Sequence, residues 1–278
     1  MFKENIFGSN NLLKMYNTNI NVIAGIPDLS LITDLLKYSV RSGEINVPKN
    51  TINNLCNQYS IRTQKSITRF IEAINKSFNL YDNEDHQNLF LKIIKSNHFD
   101  ALKPFILFFQ MGINNSLFYD ITVNIYYKQY FEGKTKARLE DYLAYLYFQR
   151  DNHPEIKKWS DATIKIIASK YLTFLKKIGL LEGQMHKKIR SVTLDDPIIV
   201  GLVYLIKSLD NDSLNFFENK YFPLFLMSKE LFLKQVKNIA KADYFEIRTL
   251  GYDLRIDLKY SYQEIVDVLI KNYRSKVQ

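Results

Sequence analysis

The chain reads as a mainly α protein carrying two short β-hairpins, and three observations lead there. Most segments space their apolar residues at i, i+3, i+4 and i+7, the period of a helix with one buried face. Alternation of apolar and polar residues around turn residues occurs only near Leu180 to Val192 and Phe245 to Leu258. Across 278 residues, 46% are apolar, enough to fill a core.

From the amino terminus, MFKENIFGSNNLLKMYN interrupts its apolar residues with Lys, Glu or Asn every few positions, so no secretory h-region is expected. In TQKSITRFIEAINKSF, Ile67, Phe70, Ile71, Ile74 and Phe78 share one helical face, while Arg62, Lys65, Arg69 and Lys76 lie off it. After the polar turn YDNEDHQ, helical material resumes near Leu89, and Pro104 is placed to start or kink a helix. The runs FILFFQMGI (Phe105 to Ile113) and PIIVGLVYLI (Pro197 to Ile206) fall short of the roughly 20 apolar residues that span a bilayer. They are expected to be buried core helices, with no membrane partner.

NNSLFYDITVNIYYKQYF and RLEDYLAYLYFQ follow as aromatic-rich helices whose tyrosines are expected to pack their rings and leave their hydroxyls at the edge. The polar, proline-bearing RDNHPEIKK (Arg150 to Lys158) is the best boundary between an N-terminal helical domain, residues 1–150, and a C-terminal domain, residues 151–278. Further on, Ser228 caps KELFLKQVKNIAKA, and YFEIRTLGYDLRIDLKY alternates about Leu250-Gly251-Tyr252 as a hairpin does. The second half of the chain thus places a helix followed by a β-ribbon twice.

Between those elements lies the most informative stretch, WSDATIKIIASKYLTFLKKIGLLEGQMHKKIRSV, Trp159 to Val192. Ser160 suits an N-cap, Asp161 favours the helix dipole, and Gly179 sits where a C′ glycine belongs. Ile164, Ile167, Ala168, Tyr171, Leu175 and Ile178 make one face of the helix. Lys165, Ser169, Thr173 and Lys176 make the opposite face, flanked by Lys170 and Lys177. A hairpin with its tip at Glu182-Gly183-Gln184-Met185 then leads to Lys187, Lys188 and Arg190.

From Lys157 and Lys158 through Arg190 there are nine basic residues against two acidic, a net +7 out of the whole chain's +9. Lysines on a surface helix are often simply solvated. Here the basic residues cover both a helix face and the following strand, and Ser169 and Thr173 add hydroxyls able to bond phosphate oxygens, which favours a polyanion-binding surface.

No catalytic, cofactor or metal site is expected. The chain lacks a glycine-rich phosphate loop, H-E-x-x-H, G-x-S-x-G and C-x-x-C, and His86, His98, His153 and His186 have no partner at metal-ligand spacing. Asp195-Asp196 before Pro197 reads as a helix start. The single Cys56 excludes an internal disulfide, fits a reducing cytoplasm and is expected to be a small core residue. A small-molecule substrate is not expected either.

Taken in order, RTQKSITRFIEAINKSF, WSDATIKIIASKYLTFLKKIGLLEG with KKIRSV, and TLGYDLRIDLKYSYQEIVDVL resemble the BrxA family of the bacteriophage exclusion (BREX) defence systems, over roughly Asn11 to Leu269. The resemblance implies a helical bundle like NusB in the N-terminal part and winged-helix-like elements in the C-terminal part. It also implies binding of double-stranded DNA and partnership with other phage-defence proteins. Carried over by residue, it points to the Trp159 to Arg190 unit and to Arg62, Lys65 and Arg69. Three functions stay open: a DNA-binding module, an adaptor whose aromatic helices dock defence proteins, and an RNA-binding protein.

Overall fold

The structure, a computed structural model, describes residues 16–40, 42–209 and 214–277, with side chains described as far as residue 272. Residues 1–15, read above for a targeting signal, lie outside the described residues. The protein is mainly helical, with two antiparallel two-stranded sheets, as the sequence predicts. The described residues divide into two compact units, one formed by residues 81–109, 193–209 and 214–277, the other by residues 16–40, 42–80 and 110–192. The stretch Arg150 to Lys158 lies inside the second of these and joins two helices that pack together.

That second unit contains α1 (Asn19–Gly25), α2 (Leu29–Leu36), α3 (Lys49–Gln58), α4 (Gln64–Phe78) and the end of α6 (Lys103–Asn114). It continues through α7 (Ser116–Ile121), a π-helical turn (Thr122–Tyr126), α8 (Tyr127–Phe131), α9 (Leu139–Asn152), α10 (Asp161–Ile178), β1 (Leu181–Glu182) and β2 (Lys188–Ile189). Helix α10 packs against both α1 and α9, and α1 packs in turn against α4. Every residue of its apolar face is buried, and Leu172 and Phe174 join them. Phe118 of α7 sits 5.3 Å from Tyr171 and 5.6 Å from Phe174 by ring centroids.

Two tyrosines of the aromatic-rich helices, Tyr126 and Tyr142, are core rather than edge residues, whereas Tyr119, Tyr127, Tyr130, Tyr145 and Tyr147 are half-buried. Tyr126, Tyr142 and Tyr171 are fully buried. Their hydroxyls donate to the Leu180 carbonyl at 3.1 Å, Gln129 Oε1 at 3.0 Å and Thr122 Oγ1 at 3.0 Å. A phenol can enter a core when a partner replaces the water it loses. Cys56 is half-buried on α3, a helix that buries only Leu55, and is not a core residue.

The other unit is built from α5 (Glu84–Lys95), the start of α6, α11 (Asp196–Lys207), 3₁₀ turns at Phe216–Glu218 and Phe222–Phe225, α12 (Lys229–Ala240), β3 (Phe245–Leu250), β4 (Asp253–Leu258) and α13 (Ile265–Val277). Helix α11 begins after Asp195 with proline in its first turn and buries Ile198 through Ile206 continuously. Both short apolar runs are therefore core, and among the described residues no single helix is long and apolar enough to cross a membrane. Phe216, Phe225 and Phe232 pack against one another, with Phe216 and Phe232 stacked at 5.4 Å. The β3–β4 hairpin turns at Gly251, whose φ of 59° suits the first central position of a two-residue turn.

Candidate nucleic-acid interface

The ends of α10 are set locally, as the sequence predicts. The Ser160 hydroxyl accepts the Thr163 N–H at 3.2 Å, and Gly179 closes the helix at φ 89°. Asp161, the acid of the first turn, is held by the Arg150 guanidinium at 2.7 Å, so it does not offset the lysines further along.

The predicted polar face of α10 is its least buried side, but only in part free. Lys165 is exposed, whereas Ser169, Lys170, Thr173, Lys176 and Lys177 are half-buried. Thr173 donates its hydroxyl to the Ser169 carbonyl at 2.9 Å. Lys177 is turned inward: its Nζ donates to the Ala24 carbonyl at 2.9 Å and to the Ile26 carbonyl, capping the end of α1. Burial holds the Lys177 ammonium below the ordinary lysine range, helped by the nearby positive charge of Lys170 and opposed by Asp28. Lys170 sits beside the same end of α1, with Nζ 4.0 Å from where a Cβ on Gly25 would lie.

Lys157 and Lys158 are exposed just before the helix, and the basic strand follows it. An 18-residue helix is about 27 Å long, so the two groups mark opposite ends of α10. Arg62, Lys65 and Arg69 are exposed at the start of α4, in the same unit.

In the hairpin, Leu181 pairs with Ile189 and Glu182 with Lys188. Lys188 and Arg190 are exposed and Lys187 is half-buried. The Arg190 guanidinium reaches back over the end of α10, 3.8 Å from where a Cβ on Gly179 would lie. The outer edge of β2 is itself paired. Lys136 bridges Lys188 in antiparallel register, with the Ala137 N–H donating to the Lys187 carbonyl at 2.9 Å and the Ile189 N–H to the Thr135 carbonyl at 3.0 Å. Sequence reasoning missed this bridged segment, although KTKAR, residues 134–138, carries three basic residues in five positions.

All of the predicted site residues fall in one unit, and so does the charge. Residues 16–40, 42–80 and 110–192 hold 20 Lys and Arg against 12 Asp and Glu, a net +8, while the other described residues hold 15 against 14, a net +1.

No curated protein matches the chain. Among solved structures, it is similar to the crystal structure of an uncharacterized protein from Magnetospirillum magneticum, at 14% identity and a TM-score of 0.48, covering 69% of this chain and 97% of that one. The BrxA family model matches residues 40–202, more than half of the chain and all but the first elements of the basic unit. The chain belongs to the BrxA family, which places it among the components of BREX phage defence.

Proposed function

We propose that the protein binds double-stranded DNA through the backbone, using the basic unit and no catalysis. The observation that carries this reading is the segregation of charge, since a net +8 on the described residues of one compact unit, against a net +1 on those of the other, is more than solubility requires. Within that unit the exposed Lys165, Lys188 and Arg190 have no acidic partner within ion-pair distance among the described residues. Backbone binding engages phosphates that carry no base identity, so the interaction tolerates sequence and weakens with salt.

A second reading, docking of another defence protein, is favoured by Phe148 on α9, 62% exposed, and Ile166 on α10, 45% exposed. A salt titration of binding to duplex DNA, single-stranded DNA and RNA separates the possibilities. Preference for the duplex with a steep salt slope supports the proposal. Preference for RNA moves the function to the exposed basic start of α4 and its surroundings, and no binding of any nucleic acid at low salt leaves the docking role.

A further inference from the structure

We propose that Lys134, Lys136 and Arg138, on a segment that bridges the outer edge of β2 at Lys136, form a cationic ribbon with Lys188, and that this ribbon is the principal phosphate grip for duplex DNA. The proposal rests on the DNA-binding reading above and assigns it to residues far from α10 in sequence. Lys134, Thr135, Lys136 and Arg138 are all exposed and Ala137 is buried, so the three cations of this segment face solvent, and the bridge sets Lys136 beside Lys188.

The bridge at Lys136 and Lys188 is flanked by hydrogen bonds from the residues on either side, the pattern of a non-hydrogen-bonded pair. Such pairs bring Cα atoms to about 4.5 Å and their side chains closer than in the alternative pairing. Two ammonium groups directly opposite repel each other, which weakens the strand pairing that holds them. The nearby acids are Glu182, across β2 from Lys188, and Glu132, 3.2 Å from Lys134. Lys136 and Arg138 have no ion-pair partner among the described residues. A phosphate oxygen between Lys136 and Lys188 turns that repulsion into attraction.

The test compares the parent with a variant carrying Lys134→Thr, Lys136→Thr and Arg138→Thr, threonine being chosen to keep the extended backbone at the bridge. Duplex affinity is measured against salt, with melting temperature recorded in parallel. The expected result is a loss of affinity on the order of tenfold per phosphate released and a salt slope shallower by about one unit per phosphate released. Should the triple variant fail to fold, the single exposed change Lys136→Thr decides, with an unchanged or higher melting temperature and a shallower slope expected. A parent that binds duplex DNA while the variants bind it with the same affinity and slope overturns the ribbon and leaves the DNA reading standing. A parent that binds no duplex DNA at low salt overturns both.

Discussion

Replacing Lys177 with Met separates a structural lysine from a binding one. The Nζ of Lys177 donates to two carbonyls at the end of α1, those of Ala24, at 2.9 Å, and Ile26. Hydrogen bonds from a charged donor are worth about 1.5–3 kcal/mol each net of solvent exchange. The pair is worth less than twice that, because burial of the ammonium is itself unfavourable. Methionine keeps the aliphatic stem, so the loss is confined to the two bonds, and about 2 kcal/mol is expected. For a protein of this size that lowers the melting temperature by roughly 4–8 °C. Thermal denaturation followed by circular dichroism reads this directly, and duplex binding is titrated on the same preparation. An unchanged melting temperature together with a salt slope shallower by about one unit refutes the assignment, since it makes Lys177 a phosphate ligand.

Two further outcomes follow from the same unit. Tyr171→Phe removes a fully buried hydroxyl that donates to Thr122 Oγ1 at 3.0 Å. It is expected to cost about 1 kcal/mol, seen as a lower urea midpoint with an unchanged denaturant slope. Asp120 accepts the Tyr16 hydroxyl, and burial lifts its carboxyl above the ordinary range against the opposing pull of that hydrogen bond and of His153. A raised carboxyl pKa means that the folded state prefers the protonated form, so its stabilisation is present below the ordinary carboxylate pKa and is lost as pH rises through the raised value. Asp120→Asn does not titrate, so the melting temperature of the variant minus that of the parent is expected to rise with pH across that window. A difference that stays flat contradicts the role of burial.

Local signals were legible because their physics is local. Ser160 and Gly179 fix the ends of α10 within one turn of the residues they cap, and Gly251 fixes a hairpin tip. The apolar face from Ile164 to Ile178 is buried as its spacing predicts. What the spacing does not contain is the neighbour. A helical wheel puts Lys177 at the margin of the basic face, and only the docking of α1 against α10 turns it inward. The spacing sets Tyr171 in the core but leaves Tyr126 and Tyr142 at an edge, because a sequence does not reveal whether a distant acceptor will meet a hydroxyl, as the Leu180 carbonyl meets Tyr126 across 54 positions.

The same limit hid the bridge from Lys136 to the edge of β2. Residues 135–137 and 187–189 are some fifty positions apart, and a single antiparallel bridge leaves no period of its own in the sequence. The association of residues 81–109 with the carboxy-terminal part is likewise a long-range event. For that reason the concentration of charge in one unit became visible only once the units were known.

The central claim, that the basic unit grips the DNA backbone, is tested most directly by the salt dependence of duplex affinity in a Lys187→Ala, Lys188→Ala, Arg190→Ala variant beside the parent. The account predicts a folded variant that binds less tightly, with a slope shallower by about one unit for each phosphate the variant no longer neutralises and little dependence on DNA sequence. Binding as tight as the parent's, with the same slope, contradicts it.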